Sequence, residues 1–185
     1  AYWHIDADES VAHDYNVEFK QPSCAPCAPD PYDATVPFRA SDHDPALLGL
    51  HLYKTIVGTA GRDVLVGTPG DDILEGGADA DTLTGGAGIN LFAFSSMRDA
   101  GDTVTDFVPG KDIVDLRTLL ASLGYAGTNP VAEGWVRFVA LSGGTSVQVD
   151  ADGPGTAQEF RPLLTLAGVS PASLSAARDL AARRA

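Results

Sequence analysis

The sequence is poor in cysteine, in basic residues and in long apolar runs. Two cysteines among 185 residues are too few for a disulfide framework or for a zinc site built on four thiolates. Twelve Lys and Arg stand against 25 Asp and Glu, and the formal charge of −13 argues against a surface that itself grips nucleic-acid phosphates. No apolar stretch approaches the ~20 residues of a membrane-spanning helix.

The two cysteines, Cys24 and Cys27, lie close together in SCAPCAP. The prolines around them prevent a helix, which a thioredoxin-like redox motif requires after its cysteines. A small local disulfide in an exported loop and a pair of free thiols both remain compatible with the sequence.

Glycine is abundant, and between Gly58 and Phe94 it recurs in a nine-residue repeat. The four units are GTAGRDVLV, GTPGDDILE, GGADADTLT and GGAGINLFA. Each fits the pattern G-G-x-G-x-D-x-U-x, in which U is a large apolar residue. This pattern predicts a calcium-dependent parallel β-roll, with a glycine-rich turn and a short strand in every unit.

The repeat predicts both the metal ligands and the core. Calcium prefers carboxylate and carbonyl oxygens. The predicted calcium-binding residues are the sixth residue of each unit and one turn glycine of each unit: Asp63, Asp72, Asp81, Asn90, Gly61, Gly70, Gly77 and Gly88. The predicted inward side chains are the eighth residues: Leu65, Leu74, Leu83 and Phe92. Because so few apolar side chains cannot offset the ordering of the whole segment, the roll is expected to need calcium and a cap.

This segment resembles the RTX family of calcium-binding repeats. In that family two nonapeptides make one full coil, so the turns of alternate units stack. The resemblance implies one calcium between the turns of Asp63 and Asp81 and another between those of Asp72 and Asn90. Asn90 is neutral, which predicts a weaker second site. Asp79 replaces the glycine at the fourth position of the third unit and is expected to strain that turn.

The segment before the repeat contains a polar turn, Ser41 to Pro45, followed by an apolar strand. Its Asp-His pair suits acid–base or metal-assisted chemistry, and a solvated, capped turn is the structural alternative. RASDHDPALLGLHL resembles the closing motif of the endonuclease/exonuclease/phosphatase superfamily, in particular of secreted bacterial nucleases. The resemblance implies that His43 contacts the scissile phosphate in general acid–base catalysis. It also implies that Asp42 helps to hold the attacking water or a metal, Mg²⁺ or another divalent ion.

The segment after the repeat, from Asp102 to Leu116, resembles the cap of the roll in serralysin-type and other RTX exoproteins. Val104, Phe107, Ile113 and Leu116 are expected to seal the end of the roll. Asp115 is the predicted N-cap of a helix that runs to Leu123 and ends at Gly124. A last strand, Phe160 to Val169, and a terminal helix from Pro171 are expected to follow.

The loop VDADGPG presents Asp150 and Asp152, either as a second type of calcium loop or as an ordinary Asp-Gly turn. The surrounding stretch is similar to the C-terminal target domain of type I secretion substrates. The resemblance implies export by a type I transporter from a Gram-negative bacterium.

Together these features predict a mainly β fold. The expected order is a remnant of an αββα nuclease domain (1–52), a linker (53–57), the roll (58–94) and a β-rich cap with the secretion signal (95–185). The expected function is that of the C-terminal part of a secreted extracellular nuclease, with calcium-induced folding and a monomeric state. Ala1 is expected to lie inside a longer chain, with most of the catalytic domain before it. Nucleic acid would be bound only by that missing part of the domain.

Two alternatives remain open for the function of the chain. The first alternative to the nuclease is a non-enzymatic calcium-binding module of an adhesin or surface protein, and the second is the tail of a secreted metalloprotease. No HExxH motif occurs in the sequence, which places the protease second among these alternatives.

Overall fold

A computed structural model describes residues 52–155 and 159–182 of the chain. The predicted nuclease remnant, with Cys24, Cys27, Asp42 and His43, lies outside the described residues. Strands dominate, and in chain order they are β1 Lys54–Val57, β2 Val64–Val66, β3 Asp72–Glu75, β4 Thr82–Thr84, β5 Leu91–Ala93, β6 Asp102–Val104, β7 Ile113–Asp115, β8 Val136–Leu141, β9 Gly144–Asp150, β10 Phe160–Ala167 and β11 Leu180–Ala181. The helices are short: α1 Arg117–Ser122, a 3-10 turn Pro171–Ser173 and α2 Ala176–Asp179. No helix among the described residues is long and apolar enough to cross a membrane.

The strands of the repeat form two parallel sheets that face each other. The first four odd-numbered strands lie in one sheet in the order β1-β3-β5-β7, and the first three even-numbered strands in the other in the order β2-β4-β6. Leu65 is aligned with Leu83, and Ile73 with Leu91, so neighbouring strands are two nonapeptides apart. The chain therefore coils as a β-roll, and the predicted mainly β fold with a parallel roll is confirmed.

The eighth residue of each unit forms the core between the two sheets. Leu74, Leu83 and Phe92 are fully buried, whereas Leu65 is only partly buried. Side chains of a strand alternate between its two faces, so the short strands place one such residue inward and its neighbours outward. Leu65 differs because β2 is the edge strand of its sheet, and its neighbours Val64 and Val66 are largely exposed.

The cap continues both sheets beyond the repeat. β6 and β7 each add one more parallel strand, at offsets of 21 and 22 residues in place of 18 (Thr82 with Thr103, Leu91 with Ile113). β10 then pairs parallel to β6 and antiparallel to β9, and β11 pairs parallel to β7. The Phe107 ring lies 6.1 Å from that of Phe92, which joins the core of the cap to that of the roll.

In the first part of the cap, from Val104 to Leu116, three predicted core residues are confirmed and two other predictions are wrong. Val104, Phe107 and Leu116 are buried as predicted, but Ile113 is not, because the alternation of β7 turns Val114 inward instead. Asp115 is not the N-cap of α1, which is Leu116, although the Asp115 carboxylate accepts a hydrogen bond from the Arg117 amide at 3.0 Å.

One further predicted boundary is confirmed, and two predicted segments differ from the structure. Gly124, at φ 85°, ends α1 as predicted, since glycine tolerates this conformation. The predicted linker 53–57 contains β1, which pairs with β3 along its whole length. The predicted terminal helix is split into the 3-10 turn and α2, and the chain then returns to a sheet as β11.

Candidate metal centre

The turns of the roll stack in two columns along the edges of the two sheets. The first turn column carries Asp63, Asp81 and Asp102, and the second turn column carries Asp72, Asn90 and Asp112. The repeat supplies the first two members of each column, and the cap supplies the third.

Backbone approach within each column requires glycine at particular positions. A methyl group on Gly77 would collide with the carbonyl oxygen of Thr59, and one on Gly88 with that of Gly70. Both glycines also have positive φ, 98° and 79°, which other residues adopt with strain. Asp79 adopts a φ of 70° in the same region, so the predicted strain at that position is confirmed as a left-handed backbone conformation.

One hydrogen bond repeats along the first turn column. The amide of Asp63 donates to Oδ1 of Asp81 at 2.8 Å, and the amide of Asp81 donates to Oδ1 of Asp102 at 2.9 Å. Each carboxylate therefore fixes the turn before it, and the predicted partners Asp63 and Asp81 lie in direct contact.

In the second turn column, the same bond from a backbone amide to a carboxylate is present only between Asn90 and Asp112. The amide of Asn90 donates to Oδ1 of Asp112 at 3.0 Å, and the side-chain amide of Asn90 donates to the same oxygen at 3.3 Å. Asp71, the neighbour of Asp72, accepts a bond from the Ile89 amide at 2.7 Å. The turns of Asp72 and Asn90 are thus adjacent, as predicted.

The first two turns satisfy their own aspartates through threonine. Oδ2 of Asp63 accepts hydrogen bonds from the amide and the hydroxyl of Thr59, at 2.6 and 2.8 Å. Asp72 is held in the same way by Thr68. Gly77 and Gly86 occupy the equivalent position of the third and fourth turns, so Asp81 and Asn90 have no such partner.

Three buried oxygens of the two columns have no hydrogen-bond partner: Oδ2 of Asp81, Oδ1 of Asn90 and Oδ2 of Asp102. Leaving a buried polar oxygen unpaired costs free energy, and more so for a carboxylate. Hard oxygen ligands of this kind suit calcium. The arrangement therefore fits the predicted cation, although no group of three or more His, Cys, Asp or Glu side chains converges among the described residues. Main-chain carbonyls would have to complete the coordination.

The environment of Asp102 disfavours its charged form in the absence of a cation. Burial, aided by the charges of Asp81 and Asp99, raises the pKa of Asp102 to about 7, against the smaller opposing effect of the hydrogen bond from the Asp81 amide. A carboxylate with these surroundings gains most from a neighbouring positive charge.

Asp150 and Asp152, the other predicted metal residues, lie together at the end of β9. The carboxyl of Asp150 is fully buried. Burial, then the neighbouring carboxyl of Asp152, raises the pKa of Asp150, whose two carboxylate oxygens have no hydrogen-bond partner. The structure thus brings the two residues into contact, well separated in sequence from the turn columns.

Sequence reasoning did not assign Thr59, Thr68, Asp102 or Asp112 to the turn columns. Thr59 and Thr68 both occupy the second position of their repeat units, and this shared position could have been recognised from the sequence. The two aspartates were recognised only as cap residues, because the spacing of 21 and 22 residues departs from the 18-residue period of the roll.

Comparison with known proteins agrees with the repeat. Residues 57–92 match the RTX calcium-binding nonapeptide repeat in four copies. No curated protein matches the chain. Among solved structures, the AlgE6R3 subunit from the Azotobacter vinelandii mannuronan C5-epimerase is similar, at 25% identity over 75% of this chain and 86% of that chain, with a TM-score of 0.46. The central segment is therefore an RTX calcium-binding repeat region.

Proposed function

We propose that the chain is a calcium-folded β-roll module, with one calcium between the turns of Asp63 and Asp81 and a weaker one between those of Asp72 and Asn90. The carbonyl oxygens around Gly61, Gly70, Gly77 and Gly88 are the proposed main-chain ligands. Bound calcium would supply positive charge to the buried carboxylates and link successive turns.

The unpaired oxygens of Asp81 and Asn90 are the observation that carries this proposal. Both residues hold the sixth position of the repeat, both are buried, and both leave one oxygen without a partner. In an ordinary structural turn these oxygens would be paired, as they are at Asp63 and Asp72.

The gain from calcium is large enough to act as a folding switch. Calcium at ten times the dissociation constant of a site adds about 1.4 kcal/mol of stability for that site. Extracellular calcium modules bind with dissociation constants of about 10⁻⁴–10⁻³ M. The roll would therefore stay loose in a calcium-poor cytosol and fold outside the cell.

Circular dichroism of the 185-residue chain in EGTA and in millimolar calcium tests the switch. We expect β content to rise with calcium, and magnesium at the same concentration to be far less effective, because it demands a tighter octahedral site. Equal β content in EGTA and in calcium would refute the proposal.

The finer proposal is secretion through a type I transporter, supported by the resemblance of the stretch 145–174 to the C-terminal target domain of type I secretion substrates. A Gram-negative host that expresses the chain with and without such a transporter tests it. Accumulation in the medium only when the transporter is present is the expected result. Equal amounts in the medium of both strains would remove residues 95–185 from that role.

We further propose that residues 1–52 belong to a secreted, metal-dependent nuclease, on the strength of the RASDHDPALLGLHL motif. In the full-length protein, His43→Ala should abolish phosphodiester hydrolysis and Asp42→Ala should weaken it, while calcium-induced folding remains. Leu47→Ala, within the same motif and four residues after His43, is a control for local packing. Full hydrolysis by the His43 variant would remove this residue from catalysis.

A non-enzymatic calcium module of an adhesin or surface protein is the second candidate. The match of residues 57–92 to the RTX calcium-binding nonapeptide repeat favours it, because that match accounts for calcium binding without an enzymatic activity. The full-length protein distinguishes the two, because only the nuclease should degrade DNA or RNA when Mg²⁺ is supplied. A metalloprotease tail ranks third, since the chain contains no HExxH motif.

Asp150 and Asp152 are a separate, proposed calcium loop. The contact between the two carboxyls and the burial of Asp150 support it. Asp152→Asn should lower the number of bound calcium ions by one if the loop binds, and leave it unchanged if the segment is an ordinary Asp-Gly turn.

A further inference from the structure

Asp102 lies outside the nonapeptide repeat, yet it repeats the role of a repeat aspartate. It begins β6, which pairs in parallel with β4. Its Oδ1 accepts the amide of Asp81 at 2.9 Å, as Oδ1 of Asp81 accepts the amide of Asp63 at 2.8 Å. The first turn column therefore continues across the junction between the roll and the cap.

The second oxygens of Asp81 and Asp102 are buried together. Neither has a hydrogen-bond partner, and the two residues are 2% and 1% exposed. A methyl group built on Gly76 would lie under 3.0 Å from Oδ2 of both. The two carboxylate oxygens thus flank one small space above the Gly76 backbone.

No basic side chain neutralises this pair among the described residues. The ion pairs there join Arg117, Arg161 and Arg178 to other acids, namely Asp115, Glu159 and Asp179. Two buried, unpaired carboxylates so close together repel each other and have lost their hydration. Such a pair is stable in its charged form only when a cation lies between the two oxygens.

We propose that Oδ2 of Asp81 and Oδ2 of Asp102 hold a further divalent cation, of the calcium class, at the junction of the roll and the cap. The inference rests on the proposed calcium-dependent roll and adds to it a ligand from the cap. The Asp81 carboxylate would then be shared between this cation and the calcium proposed at the turn of Asp63. Main-chain carbonyls or waters complete the coordination, as hard-cation sites require. Binding here ties the third turn of the repeat to β6, so docking of the cap and calcium binding are coupled.

The corresponding position of the second turn column provides a matched control. Asp112 is also buried and directly precedes β7, but its Oδ2 accepts the Val108 amide at 2.9 Å and its Oδ1 accepts both nitrogens of Asn90. Both of its carboxylate oxygens are thus paired within the protein, in contrast to Oδ2 of Asp102. The structure therefore assigns the additional site to the first turn column alone.

The test counts bound calcium ions in the 185-residue chain by native mass spectrometry and calorimetry. Asp102→Asn keeps an oxygen for the Asp81 amide and removes the charge. We expect this variant to bind one calcium fewer than the unmodified chain, or to bind the last one at least tenfold more weakly. Asp112→Asn should retain the full number.

A second pair of variants tests the same site independently, so that the test does not depend on Asp102→Asn being folded. Gly76→Ala places a methyl group in the proposed site at a residue without positive φ, whereas a methyl group on Gly143, between β8 and β9, meets nothing within 4 Å. Gly76→Ala should lose the same calcium, and Gly143→Ala should not.

The outcomes separate the two levels of the proposal. If the unmodified chain binds no calcium, the roll function itself fails. If it binds calcium, and both Asp102→Asn and Gly76→Ala keep the full number at unchanged affinity, the junction site is refuted while the roll function stands. Equal losses in Asp102→Asn and Asp112→Asn would also refute it, because the assignment to one column would be wrong.

Discussion

The two turn columns of the roll solve the same packing problem with different chemistry. In the first, carboxylates at Asp81 and Asp102 each use one oxygen to fix the preceding turn and leave the other buried and unpaired. In the second, the neutral Asn90 donates its side-chain amide to Asp112 and to the Ala87 carbonyl. Protein groups therefore hold the second turn column together, and the first lacks a positive charge.

This difference separates structural stability from metal dependence within one small fold. A side-chain amide is both donor and acceptor and can satisfy its neighbours, whereas a carboxylate only accepts. An Asn in place of Asp at the sixth position of a repeat unit thus lowers the affinity for calcium. It also lets the turn form its hydrogen bonds without a cation. The first turn column is expected to respond to calcium, and the second to persist more readily without it.

The largest expected effect comes from a substitution in the core that both turn columns share, and this effect should not alter calcium binding. Leu83 is fully buried between the two sheets and belongs to neither column. Leu83→Ala should lower the free energy of unfolding by about 2–5 kcal/mol in saturating calcium, measured by urea denaturation. The number of bound calcium ions should not change, and a changed number would show that packing and metal binding are not separable.

Asn90→Asp should make the second turn column resemble the first. The change removes the donor to Asp112 and places two carboxylates side by side, which in EGTA should cost about 1–3 kcal/mol. In calcium the added charge should strengthen the second site. Stability measured in both conditions should therefore move in opposite directions, and a loss of equal size in both would mean that Asn90 plays no part in binding calcium.

The pKa of Asp102, raised to about 7, predicts a pH dependence of the stability of the calcium-free protein. A carboxyl whose folded-state pKa lies above its unfolded value favours folding at low pH. That contribution is lost as the pH rises from about 4 through 7. In EGTA, residual β structure should therefore decrease between pH 5 and pH 8.

Asp102→Asn is the control for this titration, because it removes the group that binds the proton. The variant should show little change in β structure between pH 5 and pH 8 in EGTA. An unaltered pH profile would assign the effect to other carboxyls.

Asp79→Gly should produce the smallest effect, and only in the first turn column. Asp79 has a φ of 70° where Gly88 of the second turn column has 79°. Glycine removes the steric cost of this conformation but loses more entropy on folding, so a gain of up to about 1 kcal/mol is expected. Gly88→Asp, the reverse change, should destabilise by a larger amount, because the added Cβ would also collide with the Gly70 carbonyl. Thermal unfolding in calcium measures both.

Much of the roll could be predicted because its nine-residue repeat is directly visible in the sequence. The burial of Leu74 and Phe92 follows from the nonapeptide pattern. The 18-residue register and the pairing of alternate turns follow from the resemblance to RTX repeats, in which two nonapeptides make one coil. The inward residue of β7 was misplaced by one position, at Ile113 in place of Val114. A three-residue strand offers too little alternation to fix its register.

The continuation of the columns into the cap could not be predicted from the repeat. Asp102 and Asp112 take the positions of repeat aspartates although the intervening chain is three or four residues longer than a coil of the roll. Only the hydrogen bonds from the Asp81 and Asn90 amides identify them. The role of Thr59 and Thr68 likewise depends on side-chain geometry, which a periodic pattern does not contain.

The most direct test of the difference between the columns is a calcium titration of folding, followed by circular dichroism, in Asp81→Asn and Asp72→Asn. Both residues hold the sixth position of a repeat unit, but Asp72 is satisfied by Thr68 and Asp81 has an unpaired oxygen. We expect Asp81→Asn to raise the calcium midpoint more than tenfold and Asp72→Asn only a few-fold. Equal shifts, or a larger shift for Asp72→Asn, would contradict the account.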